Sequence, residues 1–247
     1  MDAAGDAIAV WVCTRPNMRL QAAVRPAAAH TWSAPRDVAR FPAGAYLRDL
    51  RLTVDAAGDA VAVWSRYSVA GAPTYALRSV VQAAVRRAAT GTWRAPQTLS
   101  AAGSNAALPQ VGLDRNGNAT AVWLTQCDVA ADDGRCVGTV QTAEQPTASG
   151  TWTAAEQLSA PGHTASALRL AVDVSGAAVA VWKSDSGFVQ VVGRSAATGA
   201  WTAPEDVGRT GVMAEPPQVA LDGAANATVV YVRGNDRGDS RPIVRDR

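Results

Sequence analysis

The side chains best suited to bind a ligand are arginines, tyrosines, aspartates and a histidine in three segments of unequal length. These candidates are Arg66, Tyr67, Tyr75, Arg78, Asp132, Asp133 and His163. Variable segments on a repeated scaffold are where recognition residues concentrate. We therefore expect these seven side chains to form a ligand-binding surface, and the alternative is that they are ordinary solvated loop residues.

Catalytic residues are harder to assemble from this sequence. Hydrolysis of a glycosidic bond requires a pair of carboxyl groups on either side of the bond. The four glutamates and two histidines are Glu144, Glu156, Glu205, Glu215, His30 and His163. None of the glutamates has a recognisable catalytic context, and two separated histidines do not make a triad or a metal cluster. We predict that the chain is not an enzyme and uses no cofactor.

A calcium site is the other chemical possibility, in the segment LDRNGN. Asp114, Asn116 and Asn118 alternate there as in calcium-binding loops. Calcium needs six or more oxygen ligands, and each sister segment carries alanine at one of the equivalent positions. We expect no metal site.

Two cysteines bracket a short polar loop, CDVAADDGRC. The spacing of Cys127 and Cys136 is that of a disulfide closing an exposed loop, which indicates an oxidising compartment. Two free thiols are the alternative. A zinc site is disfavoured because neither a CxxC pair nor a nearby histidine completes four ligands.

The elements that position these residues come from an internal repeat. The stretch VDAAGDAVAVW at 54–64 returns at 113–123, 172–182 and 221–231, and a shortened copy lies at 2–11. The motif aspartates are 53, 59, 59 and 49 residues apart: Asp2, Asp55, Asp114, Asp173 and Asp222. A period of this length indicates a repeat architecture.

Each full unit predicts four short strands. The first alternates apolar with other residues, and the second, AVAVW or ATAVW, is apolar on both faces and must be covered from both sides. The fourth contains Pro35, Pro96 or Pro204, which places it at an outer edge. Covered four-stranded antiparallel sheets predict an all-β propeller, with a solenoid or sandwich as alternatives.

We expect a single domain over 1–247 made of about five units, three complete and two partial. The expected units are 1–40, 41–101, 102–160, 161–209 and 210–247. If strand one runs downward, an upper face carries the connections from strand two to three and from strand four to the next unit. The lower face carries the tight turns. The candidate ligand residues then lie on the upper face.

All eight tryptophans belong to the repeat, four at the end of strand two and four at the opening of strand four. Burial in the core is the simpler interpretation, and stacking against sugar rings is the other. The segment SAATGAW at 195–201 resembles the Asp-box of sialidase-like propellers, although Ala197 stands where the aspartate belongs. The cadence of the strands is also similar to that of bacterial propeller lectins. These resemblances imply a blade fold more than an activity.

Composition excludes several classes of partner. The net charge of +2 is spread without runs, so we expect no nucleic acid partner and no membrane insertion. No leader precedes the repeats, which suggests a removed export signal or a longer parent chain. The sequence favours an extracellular or cell-surface propeller that binds glycan or surface polymer. The alternatives are a protein-binding or spacer scaffold and a degenerate sialidase-like glycosidase.

Overall fold

The computed structural model describes residues 1–69, 77–127, 136–210, 215–234 and 240–246. These residues form nineteen strands and contain no helix, which confirms the all-β prediction. Within them, no helix is long and apolar enough to cross a membrane. The strands pair into five antiparallel sheets, numbered I to V along the chain.

Sheets I and V have three strands each. Sheet I contains β1 (Ala7–Cys13), β2 (Arg19–Arg25) and β3 (Arg36–Arg40), and sheet V contains β17 (Gln218–Leu221), β18 (Ala227–Gly234) and β19 (Ser240–Asp246). In both sheets the strands pair in sequence order.

Sheets II to IV carry the full unit, in which strand one is innermost and a short strand lies outside. Sheet II contains β4 (Tyr46–Val54), β5 (Ala60–Val69), β6 (Leu77–Arg87), β7 (Thr92–Trp93) and β8 (Gln97–Thr98). Sheet III contains β9 (Ala107–Leu113), β10 (Ala119–Thr125), β11 (Thr139–Gln145) and β12 (Glu156–Gln157). Sheet IV contains β13 (Ala165–Val172), β14 (Ala178–Ser184), β15 (Phe188–Arg194) and β16 (Glu205–Arg209).

The motif aspartate closes the turn between strands one and two. Asp55 Oδ1 accepts hydrogen bonds from the backbone N–H groups of Ala57 and Asp59, both at 2.9 Å. Gly58 has a φ of +85°, a conformation that glycine adopts without strain. The same carboxylate turn occurs after Asp114, Asp173 and Asp222. The repeated aspartate is therefore a turn residue.

Consecutive sheets pack face to face through complementary apolar surfaces. The valine face of one sheet, such as Val61 and Val63 on β5, meets the alanine and tryptophan face of the next, such as Ala121 and Trp123 on β10. Trp64, Trp123 and Trp182 are completely buried in these cores. The prediction that strand two is covered on both faces holds for β5, β10 and β14.

The outer strand differs from the prediction in one respect. Pro35 and Pro204 come immediately before β3 and β16, and Pro96 lies between β7 and β8. The prolines therefore do not sit inside the paired segments, because their missing N–H would interrupt the ladder there. The outer strands are correspondingly short, with two residues in β7, β8 and β12.

Strand one of each complete sheet has a bulge at the same place. Asp49, Leu108 and Ala167 have φ of 57°, 55° and 57°, and the pairing register with strand two shifts beside each of them. Non-glycine residues adopt this left-handed conformation only when the surrounding structure imposes it. The bulge redirects the residues that follow it, and these include Arg51 and Arg169.

Candidate functional site

Strand one of sheets II and IV each carries an arginine at the same position of the repeat. Arg51 on β4 donates from Nη1 to the carbonyl of Leu50 at 3.2 Å, and Arg169 on β13 donates to that of Leu168 at 2.9 Å. Burial, and after it the positive charge of Arg51, lowers the pKa of Arg169. The two like charges of this arginine pair therefore interact between sheets II and IV.

This arginine pair has no acidic counterpart in the part of the chain that the structure describes, where neither guanidinium forms an ion pair. Each uses a nitrogen on a backbone carbonyl and keeps further N–H donors in a planar fork. That fork matches the geometry of a carboxylate or sulfate oxygen pair. An anion placed between the two side chains would offset their mutual repulsion.

A stacked aromatic pair lies at the upper end of the same sheet. The rings of Tyr46 and Tyr67 are 4.9 Å apart between centroids and inclined by 8°, and Arg48 Cζ lies 5.4 and 5.7 Å from their centroids. Burial, and after it the charge of Asp49, raises the pKa of Tyr67 to about 12. The phenol is therefore protonated at neutral pH. Cation–π interactions with both rings make Arg48 part of one fixed cluster with Tyr46 and Tyr67.

Asp49 connects this cluster to sheet III. Its Oδ2 accepts a hydrogen bond from the Ser65 hydroxyl at 2.8 Å and a longer one from the backbone N–H of Leu108 at 3.4 Å. The carboxylate thus joins the bulge of sheet II to the bulge of sheet III. Asp49 therefore helps to position β4, the strand that carries Arg51, against β9 of sheet III.

A second concave region lies on the upper face of sheet IV. The cavity measures about 270 Å³ and is lined by Val137, Thr164, Ala165, Ser166, Lys183, Ser184, Asp185, Gly187 and Thr210. At its rim, His163 Nδ1 lies 3.1 Å from Asp185 Oδ1, with the histidine side chain 55% exposed. The N–H of Thr164, followed by His163, lowers the pKa of Asp185 to about 2. The carboxylate is therefore charged across the physiological range.

The disulfide borders this second cavity. Cys127 and Cys136 are joined and are almost completely buried in the core between sheets III and IV. Val137, which follows the second cysteine, lines the cavity, and Gly138 pairs with Ala165 across the two sheets. The crosslink therefore fixes one wall of the cavity.

The seven predicted ligand residues fall into three groups. Tyr75, Asp132 and Asp133 lie outside the described residues. His163 contacts Asp185, which lines the sheet IV cavity, and its predicted role in ligand binding stays a prediction. Arg66, Tyr67 and Arg78 belong to sheet II.

The sheet II residues are not in a loop, contrary to the prediction. Strands β5 and β6 extend to Val69 and from Leu77, and Tyr67 pairs with Ser79 while Ser68 pairs with Arg78. The ladder of paired residues between β5 and β6 is longer than the one between β10 and β11 in sheet III. Tyr67 is only 5% exposed, so its ring serves the stacked cluster more than the open surface.

Sequence reasoning missed the arginine pair, although the repeat contained a signal for it. The position four residues before the motif aspartate is Arg51, Gln110, Arg169 and Gln218 in successive units. A polar, hydrogen-bond-donating side chain therefore recurs within an otherwise apolar strand. Aligning the units on the aspartate makes that position visible. What alignment does not supply is the proximity of the two charges.

Comparison with known proteins shows the fold. No family model and no curated protein sequence matches the chain. Among solved structures, Hadza microbial sialidase Hz136 matches 99% of this chain and 54% of its own, with 13% identity and a TM-score of 0.55. A mutant of NanB sialidase from Streptococcus pneumoniae matches 98% of this chain and 57% of its own, with 10% identity and a TM-score of 0.54. The fold of this chain is similar to that of these sialidases.

A polysaccharide lyase shares the architecture as well. An ulvan lyase bound to GlcA(1-4)Rha3S matches 96% of this chain and 66% of its own, with 11% identity and a TM-score of 0.57. The chain spans a little over half the length of the two sialidases.

These matches correct the prediction that the chain is not an enzyme. The named neighbours are mostly enzymes, among them sialidases, an intramolecular trans-sialidase and the lyase. The fold is one on which enzymes are built, and the prediction is withdrawn. At 9–13% identity the likeness shows the fold and leaves catalysis to direct assay.

Proposed function

We propose that this chain is a carbohydrate-binding propeller domain that holds an acidic group of a glycan between Arg51 and Arg169. The observation that carries the proposal is that strand one of sheets II and IV each presents an arginine without an ion-pair partner among the described residues, and that the charge of Arg51, after burial, lowers the pKa of Arg169. Two clustered cations make a neutral ligand a poor match and a carboxylate or sulfate a good one.

The upper face supplies what the rest of a glycan would need. The Tyr46 and Tyr67 rings beside Arg48 form a rigid flank of known orientation. The sheet IV cavity offers hydroxyls from Ser166 and Ser184, and Asp185 is a fixed acceptor. A charged group at the arginine pair and neutral hydroxyls at the cavity would suit an oligosaccharide better than a single sugar.

The matched structures support this class of ligand. Two of these proteins are sialidases and one is a polysaccharide lyase bound to GlcA(1-4)Rha3S. A carbohydrate partner agrees with these matches, and the proposal of an anionic partner rests on the arginine pair. The disulfide fits an extracellular or cell-surface location.

The domain organisation forms part of the proposal. We take 1–247 as one propeller domain whose five sheets are five blades, with units at 1–40, 41–101, 102–160, 161–209 and 210–247. The five sheets and their consecutive packing support this division. The upper face of the blades, where strand four leads into the next strand one, is the proposed ligand side.

The test is a calorimetric titration with acidic and neutral oligosaccharides. Oligogalacturonate, sialyllactose and a sulfated disaccharide are the acidic probes, and lactose is the neutral one. Arg51→Gln and Arg169→Gln each remove a charge while keeping a residue that the chain itself uses at positions 110 and 218. Each substitution should weaken acidic binding about tenfold or more, because a hydrogen bond to a charged group contributes about 1.5–3 kcal/mol.

The control variant is Arg115→Gln in a lower turn, where the side chain is exposed and remote from the upper face. It should bind all probes as the parent does. Equal binding of lactose and the acidic probes, or unchanged affinity in both arginine variants, would refute the proposal. Mass spectrometry of the ligands after incubation shows directly whether they are cleaved.

A further inference from the structure

Gln110 occupies in sheet III the place that an arginine occupies in sheets II and IV. It lies four residues before the motif aspartate, as Arg51 and Arg169 do in their own units. Each of the three lies opposite the same valine of strand two, and the pairs are Arg51 with Val63, Gln110 with Val122 and Arg169 with Val181. Directly opposed residues of an antiparallel ladder share a face of the sheet. The three side chains therefore lie at one level of the repeat.

The faces of the valines show the direction in which these side chains lean. Val63 packs in the core between sheets II and III, and Val122 packs in the core between sheets III and IV. Arg51 is therefore on the side of sheet II that faces sheet III. Gln110 is on the side of sheet III that faces sheet IV, where Arg169 lies. Position 110 thus stands between the two arginines.

Two further contacts hold this part of β9 against both neighbouring strands. Two residues before Gln110, the backbone N–H of Leu108 donates to Asp49 Oδ2 of sheet II at 3.4 Å. Two residues after Gln110, Gly112 is so close to Val172 of sheet IV that a Cβ would overlap the valine side chain. A ligand group that bridges the two arginines must therefore pass Gln110.

The amide of Gln110 differs from the two guanidinium groups in its hydrogen-bonding chemistry. An arginine only donates hydrogen bonds, whereas a glutamine donates from Nε2 and accepts at Oε1. Gln110 is half-buried, and within the described residues no hydrogen bond occupies its amide. A bare anion would satisfy the donors of the three side chains and leave Oε1 to water. An anion with a hydroxyl beside it would satisfy the donors and the acceptor together.

We propose that Gln110 contacts the ligand and sets the specificity of the arginine site for an acidic group with a neighbouring hydroxyl, as on an acidic sugar. Nε2 would donate to the acid group held by Arg51 and Arg169, and Oε1 would accept from the hydroxyl. The inference rests on the proposed function and adds to it the part of the sugar that is recognised next to the charge.

The first test compares two ligands with the same carboxylates and different hydroxyl groups. Oligogalacturonate can donate to Oε1, and its O-methylated derivative cannot. Calorimetric titration of the intact chain should show that the parent prefers oligogalacturonate about threefold to tenfold, as expected for one neutral hydrogen bond. Gln110→Met keeps the length of the side chain and removes its amide, so this preference should disappear.

The second test changes the charge at position 110. Gln110→Glu places a carboxylate beside the acid group and should weaken binding of oligogalacturonate about tenfold or more, whereas Gln110→Arg should strengthen it. Opposite signs mark a contact with the ligand, because a change that acted only through the strand would weaken binding in both variants. Urea unfolding of each variant in parallel checks that the fold is retained.

The matched control is the same set of substitutions at Gln218, which holds the equivalent position of sheet V on the far side of sheet IV. These variants should keep the preference for oligogalacturonate. Equal effects at the two glutamines, or changes of the same sign in Gln110→Glu and Gln110→Arg, would overturn the inference and leave the proposed function in place if Arg51→Gln still weakens acidic binding. Failure of the parent to bind any acidic probe would instead refute the proposed function, and this inference with it.

Discussion

Gly112 marks the closest approach of two inner strands, and replacing it with alanine tests how tightly the sheets are wedged together. A Cβ at this position would lie 2.3 Å from Val172 Cγ2 and 2.6 Å from Val172 Cβ. Rotation about χ1 can move the γ-carbons but not the Cβ of a valine, so relief requires the strands β9 and β13 to separate. Forcing extra atoms into such a contact costs about 1–3 kcal/mol.

The matched control is Gly193→Ala on β15. A Cβ there meets nothing within 4 Å, and neither glycine has a positive φ. Alanine in a strand normally gains about 0.5–1 kcal/mol over glycine by reducing the freedom of the unfolded chain. We therefore expect Gly112→Ala to lower the unfolding free energy and Gly193→Ala to leave it unchanged or raise it. Because the gain from replacing glycine applies to both variants, their difference is the overpacking cost of about 1–3 kcal/mol.

Urea unfolding followed by tryptophan fluorescence measures this difference. With an m-value of about 2 kcal/mol/M, the two midpoints should differ by about 1 M. Exchange of amide protons in β9 and β13 should accelerate in Gly112→Ala alone. Coincident midpoints for the two variants would show that β9 and β13 separate freely at this point, and would refute their tight packing.

Three further outcomes follow from the structure. Reduction of the disulfide between Cys127 and Cys136, which are nine residues apart, should cost about 2–3 kcal/mol in urea unfolding, and exchange should show the loosening confined to 124–140. Burial raises the pKa of Tyr67 to about 12, so the stability that the neutral phenol contributes is complete below pH 10 and is lost as pH rises through 12. Tyr67→Phe should remove about 2–3 kcal/mol of that alkaline loss of stability. Absorbance at 295 nm should show a late-titrating phenol in the parent. Trp123→Ala should cost about 3–5 kcal/mol and Trp11→Ala clearly less, because only Trp123 is fully buried; equal costs measured by thermal unfolding would contradict the partial exposure of Trp11.

The repeat made most of the fold predictable. Strand one, the turn after Asp55 and the apolar strand ending at Trp64 recur with one spacing, and each recurrence folds as the same hairpin. The period-two pattern of strand one and the two-faced apolar pattern of strand two are local signals. They identify strands because a half-covered and a fully covered strand must differ in composition.

The candidate site depended on relations that the pattern does not contain. Strands β5 and β6 of sheet II extend further than the corresponding strands of the other sheets, so Arg66 and Arg78 are strand residues. The sequence between the two strands has no apolar alternation that would predict this extension. The left-handed conformation of Asp49 and Ala167 at the bulge cannot be predicted from a glycine in the sequence, because tertiary contacts hold these non-glycine residues in it. Without the bulge, the direction of Arg51 and Arg169 cannot be inferred.

The arrangement of the arginine pair follows from how a repeat can vary. The position four residues before the motif aspartate alternates between arginine and glutamine along the chain, so sheet III contributes Gln110 between the sheets of Arg51 and Arg169. Arginine at every unit would place guanidinium groups on adjacent inner strands, where the repulsion between like charges would be larger. Alternating arginine with glutamine leaves the strands unchanged, because both side chains are long and donate hydrogen bonds from planar N–H groups. The repeat thus places two positive charges on the inner strands, and their electrostatic effect is seen in the lowered pKa of Arg169.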